Sequence, residues 1–461
     1  MEPRTKALLD APIGPTLFRL ALPTMVVMVV QSSVGLIETY FVAKLGTDAL
    51  AGITLVFPIL MLIQMMSAGA MGGGILSAIA RALGSNRRDD ADLLVWHAVA
   101  IAVVFGLITT VLALGFGGTL YAAMGGRDAS LTAALTYSGI VFAGAIPIWM
   151  FNSLAAVIRG TGNVLVPAAV SVAGTVVLIP LSPALIFGWG VLPHLGIVGG
   201  AVAVLLYYCV GSAIFAWVLW SGRTVLTPSP RPPRLRWPFA REILRVGLIS
   251  SVISLSTNVS VGVATGFVGA YGPAAVAGYG AGARLEYLLI PIVFGLGAPL
   301  AAMVGTAVGA DSHGRALAVA WTGAAAAGII TEAIGLAAAA APQAWIGLFS
   351  NDALANRVGI TYLHAVGPYY GFFGVGLALY FASQGAGRLR WPLLAAVLRV
   401  AVATAGGWVA VHYGRGVGGV FEALAIALVC FGVVNVAAVW GGAWFVRAQG
   451  IGERRAQFPG T

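Results

Sequence analysis

Apolar residues in this chain come in long runs separated by short polar breaks, not at the alternating or three-to-four-residue spacing of half-buried elements in water. Runs long enough to cross a bilayer lie roughly at 18–43, 50–79, 93–123, 131–157, 164–188, 196–220, 243–269, 275–308, 316–341, 358–383, 392–412 and 421–446. A perpendicular helix needs only about 20 apolar residues to span hydrocarbon, so the longer runs predict tilt, kinks or extra turns. Pro23, Pro58, Pro147, Pro291, Pro299 and Pro368 fall inside runs, where each removes a backbone hydrogen bond and favours a kink. The glycine-rich stretch Gly69–Gly74 predicts a close helix approach and a flexible point. The pattern as a whole predicts an all-α membrane protein of twelve transmembrane helices.

The polar breaks set the organisation. The longest, Ser221 to Pro238, reads SGRTVLTPSPRPPRLRWP, and its prolines exclude a helix. It is expected to join an N-terminal six-helix lobe (1–220) to a C-terminal one (241–461) through a cytoplasmic Pro/Arg-rich linker (221–240). Lys and Arg concentrate in the termini and the even-numbered breaks, with Arg388, Arg390 and Arg399 counted to the tenth. The odd breaks hold only Lys44, Arg127, Arg357 and Arg415. Both termini are therefore expected in the cytoplasm, which requires an even number of spans.

The two lobes match each other. At a shift of 226 residues, Arg19-Leu20-Ala21-Leu22 falls on Arg245-Val246-Gly247-Leu248, Phe41-Val42 on Phe267-Val268, Ala51-Gly52 on Ala277-Gly278, and Gly69 on Gly295. At 225, Gly160-Thr161-Gly162 falls on Gly385-Ala386-Gly387 and Pro167 on Pro392. A near-constant offset across most of each half is the mark of internal duplication. Six spans separate equivalent points, so the lobes are expected to be parallel repeats about an axis along the membrane normal, as in alternating-access carriers.

Composition acts by exclusion. Of 461 residues, 59 % are hydrophobic and 9 % charged, against about 25 % charged in an average soluble domain. The N-terminus lacks the short apolar core and cleavage site of a signal peptide, so the first run is expected in the mature protein. The net charge of +10 is scattered over short loops, which argues against nucleic acid as a partner. Cys209 and Cys430 lie in apolar runs and read as small buried hydrophobes. Gly69–Gly74 is not followed by the Gly-Lys-Ser/Thr of a phosphate loop, which excludes an ATP-driven pump in this chain. No HExxH, nucleophile elbow or aspartate-rich motif occurs, so no metal and no cofactor is expected and a membrane-embedded enzyme is a weak alternative.

Three stretches carry a family resemblance. They are Leu20-Ala-Leu-Pro23 through Glu38-Thr-Tyr-Phe-Val42 to Leu45-Gly-Thr-Asp-Ala-Leu-Ala-Gly52, then Ala80-Arg-Ala-Leu-Gly84, then Ile158-Arg-Gly-Thr-Gly-Asn163. Their C-terminal counterparts are Ala275 to Glu286, Gly305 to Ala310 and Gln384 to Arg388. The pattern resembles the multidrug and toxic compound extrusion (MATE) family over nearly the whole chain. The resemblance implies two lobes around a V-shaped central cavity. It also implies export of organic, often cationic, compounds by antiport with H+ or Na+. The chain departs from the family's acids: Glu38 stands where Asp is common, Leu178 and Ser182 where many members place Asn and Asp, and Thr257 and Phe373 near positions that are acidic in another branch. A sodium site wants several oxygen ligands, so these departures favour H+.

A charge near the bilayer centre costs at least ~2.5–3.5 kcal/mol on insertion scales, so each one within a span needs a reason. Glu38 lies roughly 18 residues into its run, or ~27 Å at ~1.5 Å per residue. It is expected to be the principal proton-coupling carboxylate, with Gln31 and Tyr40 on the same helix lining the substrate cavity; the alternative is a structural pair with Lys44 or Arg284. Glu286 is expected to be a second coupling group. Its i,i+2 spacing from Arg284 puts the two on different helix faces, and a structural bond within the C-terminal lobe is the alternative for each. Arg284 is read as the only deeply placed arginine, which disfavours a lipid-linked oligosaccharide flippase, whose cavity would gather several. Glu332 has no evident partner, and a hydrogen bond within its lobe is favoured over a cavity role. Thr257, Asn258, Tyr369 and Tyr370 are candidate cavity residues, and Gln64, Asn152 and Asn435 either face the cavity or bridge helices. The expectation is a monomeric, multi-pass inner-membrane antiporter whose partners are a small organic substrate, H+ (Na+ less favoured) and the lipid bilayer.

Overall fold

The computed structural model describes residues 3–190 and 193–445, apart from the side chains of Val29 and of residues 31–38. Each of the twelve apolar runs forms helix over most of its described length, and no strand occurs among the described residues. A short α1 (Pro3–Asp10) precedes α2 (Ile13–Ala43). Next, α3 (Thr47–Gln64) continues through a π-helical turn, Met65–Met71, into α4 (Gly72–Gly84). Then come α5 (Arg88–Ala123), α6 (Asp128–Ala143), α7 (Ala145–Gly160), α8 (Leu165–Phe187) and α9 (Ile197–Trp220). The second half comprises α10 (Trp237–Gly269), α11 (Pro273–Gly309), α12 (His313–Ala340), the short α13 (Pro342–Ile346), α14 (Ala353–Val366), α15 (Tyr370–Ala386), α16 (Arg390–His412) and α17 (Gly416–Trp440). Ten spans among the described residues have the length and apolarity to cross a membrane, and the pair α6–α7, bent by 50°, supplies another. Residues 221–236 carry no helix, but α10 begins at Trp237, so the last two residues of the stretch expected to exclude helix, Trp237 and Pro238, are helical: a proline in the first turn lacks only an N–H that has no intrahelical partner there.

Two compact units result, the first built mainly from residues 18–251 and the second mainly from 252–308 and from 312 onward. Within each, the packing follows the repeat. In the first unit α5 packs on α7 and α8 on α9; in the second α12 packs on α15 and α16 on α17. Exposure repeats as well. Arg19, Leu22 and Val26 share one exposed face of α2, and their equivalents Arg245, Leu248 and Val252 share one exposed face of α10. A step from arginine to apolar residues on an outward face is the pattern expected where a span enters hydrocarbon.

The fourth span is broken in both repeats. In the first, Gly144 leaves helical geometry and Pro147 has no N–H to offer the Ala143 carbonyl. In the second, the 3-10 turn Gly367–Tyr369 contains Pro368, which has none to offer His364. The neighbouring third span meets each restart at equivalent residues, with bulk exchanged. Gly106 of α5 lies so close to Ile146 that a Cβ there would stand 2.7 Å from the Ile146 Cα. At the same place in the second repeat the large residue is Glu332 of α12 and the small one is Gly371.

The glycine-rich stretch Gly69–Gly74 runs from the end of a π-helical turn, Met65–Met71, into α4. Asn152 Nδ2 donates to Ser67 Oγ (2.8 Å) and to Gln64 Oε1 (3.1 Å), so Asn152 and Gln64 bridge α7 to this turn. Beyond it, Gly74 touches the start of α10: a Cβ there would stand 2.7 Å from the Ile243 carbonyl oxygen and 3.0 Å from the Gly247 nitrogen. Backbone cannot move aside as a side chain can, so Gly74→Ala should destabilise the protein by about 1–3 kcal/mol. Thermal unfolding in detergent measures it. Gly139→Ala, with nothing within 4 Å of the new Cβ, should leave the melting temperature unchanged or higher, and equal losses in both variants would contradict the close approach.

Cys209, expected to be buried, is exposed on α9, and Cys430 is half-buried. Lipid solvates a thiol about as well as a protein core does, so an apolar run no longer implies burial inside the fold.

Candidate functional site

Within the second unit, α11 and α16 each carry one mid-helix charge among apolar neighbours, Glu286 and Arg399. Arg399 Nη2 donates to Glu286 Oε1 at 2.5 Å, and the side chains are 7 % and 12 % exposed. Aromatic rings surround the pair. The Arg399 guanidinium lies 5.2 Å from the Phe373 ring centre and 5.8 Å from that of Phe431, within the range of cation–π attraction. Tyr279 stacks on Phe421 and meets Tyr362 edge to face, and the Tyr362 and Tyr370 hydroxyls are 3.2 Å apart. Ser260, Tyr279, Glu286, Tyr362 and Arg399 line a small pocket together with Ala403, Leu424 and Leu428.

This arrangement has a definite chemistry. Desolvating two ions is costly, and their attraction offsets it only while both stay charged and paired. A proton placed on Glu286 would remove the counter-charge and leave the guanidinium a neutral acceptor oxygen and the ring faces.

The structure corrects the sequence reading of Arg399. Counted among cytoplasmic loop residues, it lies nine positions into α16, or about 14 Å along it. The expectation that Arg284 is the only deep arginine falls with it, because Arg399 is buried while Arg284 is exposed, its guanidinium 4.8 Å from the Phe349 ring centre. Arg284 and Glu286 do not pair, as their spacing predicts. Of the other candidates, Tyr370 is fully buried beside Tyr362, whereas Tyr369 is 41 % exposed. Thr257 and Asn258 bond back to their own helix, at the Ile253 and Ser254 carbonyls. Tyr40 is exposed, with the Lys44 ammonium 4.6 Å from its ring centre. The side chains of Gln31 and Glu38 lie outside the described residues.

Glu332 has the bond within its lobe that was favoured for it. Its Oε2 accepts the Gly371 N–H at 2.6 Å, capping the start of α15 where the broken fourth span resumes. Removing such an acceptor leaves a helix-start N–H unsatisfied. Glu332→Ala should therefore cost about 1–2 kcal/mol, and Glu332→Gln, which keeps an acceptor oxygen, less. Thermal unfolding of both variants measures this, and equal losses would show that the cap is not the reason.

A family model described as MatE matches the chain twice, over residues 23–184 and 249–409. The chain belongs to the MatE family. The two matches begin 226 residues apart, the same shift at which the sequence overlays itself. Similar proteins include the FAD transporter of Shewanella oneidensis, 28 % identical over 314 residues (67 % of this chain, 68 % of that one). The probable multidrug resistance protein NorM of Thermotoga maritima is 25 % identical over 380 residues (82 % and 81 %). Among solved structures, an outward-facing multidrug resistance MATE family transporter of the MOP superfamily superposes with a TM-score of 0.86 at 25 % identity, covering 97 % of this chain and 99 % of that one. A MOP superfamily transporter from Pyrococcus furiosus gives 0.84 at 26 % identity, covering 96 % and 98 %. The chain thus has the two-lobed fold of a MATE transporter. It is a multi-pass membrane protein that moves small molecules, and it is not an enzyme.

Proposed function

We propose that this MATE transporter is a monomeric inner-membrane antiporter that exports amphipathic, cationic organic compounds against inward proton flow. In this reading both termini are cytoplasmic, the lobes are 1–220 and 241–461 joined by the linker 221–240, and Glu38 is the principal coupling carboxylate. Gln31, Tyr40, Thr257, Asn258, Arg284, Tyr369 and Tyr370 serve the substrate cavity. The observation that carries the choice of proton is the Glu286–Arg399 pair. A sodium ion would have to displace a guanidinium from Glu286 and supply its own ligands. A proton needs only one carboxylate oxygen, and it weakens the pair by arriving. Glu286 is then the second coupling group, with Arg399 as the residue that its protonation releases. The NorM likeness supports multidrug export.

A second reading follows from the 28 %-identical relative that is a FAD transporter: the substrate is an aromatic anion. Proteoliposomes decide between them. Under an imposed pH gradient, efflux of a cationic dye with no efflux of FAD supports the first reading, and the reverse supports the second. Efflux that follows a Na+ gradient and ignores pH would refute proton coupling.

A further inference from the structure

The connection between α9 and α10 is held firmly for a segment rich in proline. Val225, Leu226 and Pro228 are buried. The Ser229 carbonyl accepts the indole N–H groups of both Trp96 (3.0 Å) and Trp220 (3.2 Å). Asp92 accepts the Thr227 N–H at 2.8 Å, and Arg236 N–H donates to His97 Nε2 at 2.9 Å while the other ring nitrogen bonds the Leu93 carbonyl. These anchors all lie on α5 and α9, so the arginines that follow are presented from a fixed frame.

Arg231, Arg234, Arg236, Arg241 and Arg245 are all exposed, and none forms an ion pair among the described residues. Three carboxylates at this end have partners of their own, Asp92 in Thr227, Asp90 in Arg87 and Glu242 in Arg81, and Asp89 is exposed on α5. Between the arginines, Leu235 is 57 % and Trp237 68 % exposed. Spacing continues the surface down the helix, since Trp237, Arg241, Arg245 and the exposed Leu248 follow at i, i+4, i+8 and i+11 on one face of α10. The surface is therefore basic at one end and runs directly into apolar residues at the other. An acidic protein or a nucleic acid matches only the basic end. A ligand with an anionic head and an apolar tail matches both.

We propose that residues 231–248 form a binding surface for anionic phospholipids, with the five arginines engaging headgroup phosphates and Leu235 and Trp237 entering the interfacial layer. Retention of counter-charges by clustered arginines beside a span is the physical basis. The proposal is independent of the coupling ion and of the transported substrate.

Native mass spectrometry of the full-length transporter, titrated with phosphatidylglycerol or phosphatidylcholine, tests it. The wild type should retain phosphatidylglycerol in preference to phosphatidylcholine. In R231Q/R234Q/R236Q the affinity for phosphatidylglycerol should fall about fivefold per arginine removed, and R388Q/R390Q, in another exposed basic break, should bind as the wild type does. If the triple variant is not recovered, Arg234→Gln alone should lose about fivefold. The absence of a phosphatidylglycerol preference in the wild type, undiminished binding in the linker variants, or an equal loss in R388Q/R390Q would each overturn the assignment.

Discussion

Arg399→Leu should destabilise the transporter by about 3–5 kcal/mol, because it leaves the Glu286 carboxylate buried among Tyr279, Tyr362 and apolar side chains with no counter-charge. The loss is larger than that from removing a surface pair, which is worth ~0–1 kcal/mol. Glu286→Gln should be milder than its mirror image, since the Phe373 and Phe431 ring faces still attract the guanidinium and the amide oxygen still accepts its hydrogen bond. The double variant Glu286→Gln/Arg399→Leu should recover much of the loss of Arg399→Leu, because neither ion then remains unpaired. Thermal unfolding in detergent across the four proteins forms a double-mutant cycle. Simple additivity would mean that the two residues do not stabilise each other. A second readout separates coupling from mere stability: if Glu286 is a coupling group, Glu286→Gln should also flatten the pH dependence of transport.

Glu38→Gln should abolish proton-driven efflux while leaving the protein folded. Glutamine keeps the size and hydrogen-bonding capacity of the side chain and removes only its ability to exchange a proton. Transport that depends on loading and unloading that proton should fall by at least about tenfold, the scale at which a coupling step becomes limiting. Binding of the organic substrate, measured without a gradient, should change less than transport does.

The fold was legible because lipid simplifies the problem. Every backbone polar group must be satisfied within its own segment, so an apolar run of sufficient length is a helix. Hence twelve runs became helices, and the shift of 226 residues reappears in the family matches, the packing and the exposed faces beginning at Arg19 and Arg245. The site was less legible. Arg399 and Glu286 are 113 residues apart, and no local spacing connects them. Counting arginines by polar break then placed Arg399 outside the membrane, although its run had already been assigned as a span. Glu332 illustrates a subtler limit. The repeat set it opposite Gly106, but only the geometry showed that the two repeats exchange a large and a small residue at one crossing. The repeats also differ in their acids: Glu38 falls opposite Ala264 and Glu286 opposite Leu60, so neither acid has a duplicate.

Proton-driven export through Glu38 is tested most directly in reconstituted vesicles. Efflux of a cationic dye is recorded in proteoliposomes holding wild type or Glu38→Gln, under a pH gradient and, separately, under a Na+ gradient of the same magnitude. The wild type should show efflux under the pH gradient alone, and Glu38→Gln none under either. Undiminished pH-driven efflux by Glu38→Gln, or efflux by the wild type that follows Na+ alone, would contradict it.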